Sequence, residues 1–88
     1  MAQRRIWKYE IGEEDSLGIE MPKDAKILSF QYQENTPCIW ALVDHHAEKT
    51  LRRFQIVGTG EPYEWYTGHN YIQTAQQGPF VWHLFEVT

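Results

Sequence analysis

Ala25-Lys26-Ile27-Leu28-Ser29-Phe30-Gln31-Tyr32-Gln33, then Glu34-Asn35-Thr36-Pro37, then Cys38-Ile39-Trp40-Ala41-Leu42-Val43: this stretch decides the fold. In its first part Leu28, Phe30 and Tyr32 alternate with Ser29, Gln31 and Gln33, the period of a half-buried strand. Glu34 to Pro37 breaks the alternation with turn-forming residues. Cys38 to Val43 is apolar at every position, as a central strand covered on both faces would be. The stretch therefore predicts a hairpin, with an amphipathic first strand and a buried second one.

The same period of two extends outward in both directions. Toward the N-terminus, Trp7, Tyr9 and Ile11 alternate with Ile6, Lys8 and Glu10, and Leu17, Ile19 and Met21 alternate with Gly18 and Glu20. A charged turn at 12–16 separates these two strands, and Met21-Pro22-Lys23-Asp24 reads as a tight turn before the hairpin. Toward the C-terminus, Asp44 to Lys49 is a polar connection. Thr50 to Val57 is a strand with Leu51 and Val57 on one side, Phe54 and Ile56 on the other, and Arg52 and Arg53 on opposite faces. Gly58-Thr59-Gly60-Glu61-Pro62 cannot continue a central strand, which makes Gly58 to Asn70 the longest irregular segment. Tyr71 to Ala75 reads as a short strand and Gln76 to Pro79 as a turn. Phe80 to Val87 is apolar on both faces and is expected inside the sheet beside Cys38–Val43. Asp44–Lys49 and Tyr63–Thr67 have room for a short helix, but neither carries a full amphipathic stripe. The expected fold is one all-β domain over residues 1–88, a small antiparallel sheet of about six strands folded as a sandwich or partly closed barrel.

Composition narrows the function classes. The 88 residues carry 8 Lys and Arg against 12 Asp and Glu, a net charge of −4, with the cations scattered. That balance speaks against a duplex nucleic-acid partner, which would call for a basic stripe, and leaves only a local patch from Arg52 and Arg53 open. Four Trp, five Tyr and four Phe supply enough ring surface for a core. No run of about 20 apolar residues is present, so no membrane span is expected. The opening MAQRRIWKYEIGEED holds no apolar stretch of signal-peptide length. Cys38 is the single cysteine, so no internal disulfide is expected, and a reducing, cytoplasmic setting fits.

The sequence offers no catalytic motif. Cys38, His45, His46, His69 and His83 lack the spacing of a zinc site, so neither metal nor cofactor is expected. The neighbours His45 and His46 would point their rings apart in an extended chain. Ser16 and Ser29 lack a nucleophile elbow, and no enzymatic activity is expected. The candidate ligand- or partner-binding residues are Gly58, Thr59, Gly60, Tyr63, Trp65, Tyr66, His69 and Arg53. Backbone amides of a glycine turn can cradle an anion, with the Thr59 hydroxyl as a further donor, or they can form a plain hairpin turn or bulge. The rings of Tyr63, Trp65 and Tyr66 can serve as interface anchors or stack on a base, or they can cap an open sheet end.

The segments Ile6-Trp7-Lys8-Tyr9-Glu10, Ile19-Glu20-Met21-Pro22, Ala25-Lys26-Ile27-Leu28-Ser29, Trp40-Ala41-Leu42-Val43-Asp44, Phe54-Gln55-Ile56-Val57-Gly58-Thr59-Gly60 and Val81-Trp82-His83-Leu84-Phe85-Glu86 resemble a family of short tailed-bacteriophage proteins that carry a domain of unknown function. The resemblance covers nearly the whole chain. It implies a phage origin and an infected bacterial cytoplasm as the place of action, and it supplies no catalytic residues. The expected function is a small non-catalytic binding protein that occupies a host protein, such as a defence component, or a phage protein. One alternative is a sponge for a nucleotide-like signal, with Gly58–Gly60 on phosphate and Trp65 or Tyr66 on the base. Another is a small hydrolase using a histidine and a carboxylate. Self-association into a homo-oligomer is also expected, since so short a β chain buries little over about 60% of its unfolded surface and leaves edges uncovered.

Overall fold

The computed structural model describes residues 3–12, 16–64 and 68–88. Their seven strands are β1 (Arg5–Glu10), β2 (Ser16–Pro22), β3 (Lys26–Gln33), β4 (Thr36–Val43), β5 (Lys49–Gly58), β6 (His69–Gln77) and β7 (Phe80–Val87). They form two antiparallel sheets, β1-β4-β3 and β2-β5-β7-β6, which enclose one core and do not close into a barrel. No helix occurs among the described residues, so none is long and apolar enough to cross a membrane.

Alternation decides which side chains meet in the middle. Trp7 and Tyr9 of β1, Phe30 of β3, and Ile39, Ala41 and Val43 of β4 face Met21 of β2, Phe54 and Ile56 of β5, and Leu84 of β7. β4 is central in its sheet, as the unbroken apolar run predicts. The β3–β4 hairpin turns through Glu34 and Asn35, whose φ angles of 51° and 65° match the strand twist. Pro37 pairs with Tyr32 inside β4 instead of ending a loop, and its carbonyl accepts the Ile11 N–H.

Three sequence expectations need correction. Leu28, expected on one face with Phe30 and Tyr32, is exposed, because the β3 bulge turns it outward and sets Ile27 against the core instead. The final strand β7 is central, yet it lies between β5 and β6 across the core from β4, not beside it. Period-two patterning specifies the face a residue takes but not the neighbouring strand. The short Tyr71–Ala75 strand runs for nine residues, His69–Gln77. Its polar ends are accommodated by tertiary hydrogen bonds; Gln77 Oε1, for example, accepts the Trp82 indole N–H at 3.0 Å.

β3 and β6 each form one edge of their sheet, and each carries a bulge, at Leu28 and at Ile72. The Phe30 N–H donates to Gln73 Oε1 at 2.9 Å, so a side chain of one sheet satisfies the edge of the other. At the other end of the core Arg52 makes a bidentate pair with Glu86, through Nε at 2.6 Å and Nη2 at 2.7 Å. Its Nη1 donates to the Ala25 carbonyl, which joins β5 and β7 to the start of β3.

Candidate functional site

Six of the eight residues singled out in the sequence are described; Trp65 and Tyr66 lie outside the described residues. Arg53, Tyr63, His69 and the Thr59 hydroxyl lie on or against the outer face of the sheet β2-β5-β7-β6, whereas Gly58 shares the opposite face with Trp82 at the end of β5. Strand register arranges the outer face in rows: Val57, His83 and Thr74; then Gln55, Phe85 and Tyr71; then Arg53, Val87 and His69. The chain leaves β5 at Thr59, at one end of this face, and re-enters at Gly68, at the other.

Between those ends Tyr63 folds back onto the sheet. Its ring lies 4.6 Å from that of Phe85, and its hydroxyl is 2.7 Å from His69 Nδ1. Burial pushes the Tyr63 phenol above its ordinary pKa. This ring covers the sheet. Arg53 is exposed and shares its row with His69, but Gly58 is five residues along the same strand, roughly 17 Å away at the usual rise. Arg52 lies on the core face in its Glu86 pair, so the two arginines do not form one patch.

The glycine turn is tightly bonded within itself. The Gly58 N–H donates to Glu61 Oε1 at 2.9 Å, the Thr59 N–H to the Val81 carbonyl at 3.1 Å, and the Glu61 N–H to the Gly58 carbonyl at 3.1 Å. Of the amides read as an anion cradle, those of Gly58 and Thr59 thus have protein acceptors, and the group beside them is a carboxylate. A cavity of about 450 Å³ opens next to the turn, lined by Gly58, Thr59, Glu61, Phe80, Val81 and Trp82 together with Pro79.

Sequence reasoning missed a chain of hydrogen bonds on the same face. Thr59 Oγ1 is 2.8 Å from His83 Nε2, His83 Nδ1 is 2.9 Å from Thr74 Oγ1, and Thr74 Oγ1 is 2.7 Å from the Tyr71 hydroxyl. Hydroxyls at both ring nitrogens let the chain run in either direction, depending on the His83 tautomer. No spacing in the sequence announces it, because the β6 bulge sets Thr74 opposite His83. Glu61, Phe80 and Trp82 were missed as well, because they meet only through the β5–β7 pairing and the turn after Gly58.

The remaining histidines sit elsewhere. His45 and His46 occupy the β4–β5 turn, where the Asp44 carboxylate accepts the His46 N–H and the Asp44 carbonyl accepts the Ala47 N–H. That turn brings the rings within 4.0 Å, contrary to the splayed arrangement of an extended chain. His45 Nδ1 is buried without a hydrogen-bond partner. Burial, His46 and Arg5 push the His45 pKa down, opposed by Asp44. A depressed folded pKa means that His45 contributes stability above about pH 6.5, lost as the pH falls through the folded value. The thermal midpoint is therefore expected to fall from pH 7.5 to pH 5.5, and to fall less in His45→Asn; equal drops in the two proteins would refute this. Cys38 is buried, and that burial raises its thiol pKa, so it is a packed apolar group and not a reactive one.

No group of three or more His, Cys, Asp or Glu residues that could hold a metal occurs among the described residues. No curated protein and no solved structure matches the chain. A family model does match, over residues 2–88, and the chain belongs to that family, described as a domain of unknown function, DUF7352.

Proposed function

We propose that the chain is a phage-encoded, non-catalytic binding protein that acts in the cytoplasm of the infected bacterium by occupying a host protein, a component of defence being the leading case. The phage setting rests on the sequence resemblance. The binding role rests above all on one observation: Phe80, 59% exposed, stands beside the open cavity at the end of its sheet. Large rings exposed at a concave site are what protein interfaces use as anchors.

Two observations weigh against the other readings. A nucleotide phosphate would have to displace Glu61 from Gly58 and then accept a carboxylate as neighbour. A hydrolase built on His83 would need a carboxylate on its ring, whereas His83 is bonded to two threonine hydroxyls. Self-association through β1 or β2, each paired on one side only, belongs to the same proposal.

Affinity capture with tagged protein from infected-host lysate tests the reading. A host protein retained at about equimolar amounts, and lost on Phe80→Ala, is the expected result. Recovery of nothing above an untagged control would count decisively against it.

A further inference from the structure

The geometry points to the cavity beside the Gly58–Glu61 turn as a receptor for one basic side chain, an arginine or lysine of the partner, held against the Phe80 and Trp82 rings by the Glu61 carboxylate. This inference rests on the protein-binding reading above and names the chemistry of the partner's contact.

Among the described residues, Glu61 is the one charged residue in the cavity lining. Its Oε1 is occupied by the Gly58 N–H, which holds the carboxylate in place, and Oε2 is left as an acceptor. Gly58 allows the acid and the indole to come close together. A Cβ there would stand 3.0 Å from Trp82 Cζ3 and 3.2 Å from Glu61 Cδ, so any larger residue would force the two apart. The Phe80 and Trp82 rings are 6.2 Å apart and inclined at 35°. The Trp82 indole N–H is engaged by Gln77, so the apolar part of that ring is what the cavity offers.

Aromatic walls with a single fixed carboxylate fit a cation on an apolar stem. The rings attract the cation through their quadrupoles, the stem packs on Phe80, and the carboxylate accepts the charged N–H. An anion would meet repulsion from Glu61. A neutral apolar group would desolvate that carboxylate without pairing it. The net charge of −4 favours encounter with a basic surface.

Titration with N-acetyl-arginine methylamide, followed by ¹⁵N NMR, tests the inference, with the neutral N-acetyl-citrulline methylamide as control. Saturable shifts of the Gly58 and Glu61 amides and the Trp82 indole are expected with the arginine probe, and binding at least about tenfold weaker with citrulline. Glu61→Gln keeps an oxygen for the Gly58 N–H and should weaken arginine binding by a similar factor. Phe80→Ala, at an exposed position, serves as an independent second variant and should weaken it several-fold. Equal binding of the two probes, shifts centred elsewhere, or arginine binding indifferent to both variants would overturn the inference. Lysate capture with Glu61→Gln separates the two failures. A partner retained undiminished overturns the basic-side-chain site and leaves protein binding intact. No partner at all, with the arginine probe still saturating at Trp82, overturns protein binding and leaves the cavity's preference for a cation.

Discussion

Arg52→Met is expected to destabilise the fold by about 3 kcal/mol, the low end of the range for breaking a buried ion pair. The low end applies because the Arg52 side chain keeps 21% of its surface exposed, against 14% for Glu86. Methionine preserves much of the stem but leaves the Glu86 carboxylate without its bidentate partner and the Ala25 carbonyl without a donor. For a domain of this size each kcal/mol moves the thermal midpoint by about 4–8 °C, so a fall of roughly 12–24 °C should be seen by calorimetry. Adding Glu86→Leu removes the stranded charge and is expected to recover a substantial part of the loss. Arg52→Met within about 3 °C of the parent would show that the pair contributes only what a surface bridge does. The Glu86 hydrogen bonds hold the Arg52 pKa above its ordinary value, against the effect of burial. A raised folded pKa keeps the part that depends on the Arg52 charge fully present below the unfolded value, and that part is lost as the pH rises through the folded value, in strong alkali.

Phe30→Ala is expected to cost about 3–5 kcal/mol, the usual range for emptying a fully buried phenylalanine site. Phe30 has no exposed surface, and its ring meets Tyr32 edge-on at 5.8 Å. Its backbone N–H also depends on Gln73, so Gln73→Leu should cost about 1–3 kcal/mol by leaving that donor buried and unpaired. The two residues share one seam, and the double variant should lose less than the sum of the single losses. Urea unfolding at unchanged slope reads all three values. An additive double variant would mean that packing and the hydrogen bond act independently there. Gln73→Leu as stable as the parent would mean that the edge of β3 does not need its polar cover.

Both residues mark how far the sequence could be read. Arg52 and Arg53 were placed on opposite faces by alternation alone, and that placement holds. Nothing in the local sequence pairs Arg52 with Glu86, 34 residues away. Phe30 reads as a core residue from its own strand, but its Gln73 partner comes from the edge of the other sheet, just past the β6 bulge. The glycine turn was legible as a turn, because two glycines and a proline end a strand wherever they occur. That its amides are taken by Val81 and Glu61 was not legible, since both bonds depend on how β5 and β7 pair.

The sequence by itself determined that this chain is antiparallel β throughout, which face a side chain takes away from the bulges at Leu28 and Ile72, and where the central hairpin turns. Those properties are local: a pleat repeats every two residues, and a turn needs particular residues at particular positions. Tertiary structure alone decided that β7 sits across the core from β4, that Tyr63 covers Phe85, and that Glu61, Phe80 and Trp82 converge on one cavity. Such contacts depend on sheet assignment, register and bulges. A strand written as alternating apolar and polar residues can meet many partners, and only the packed molecule selects one.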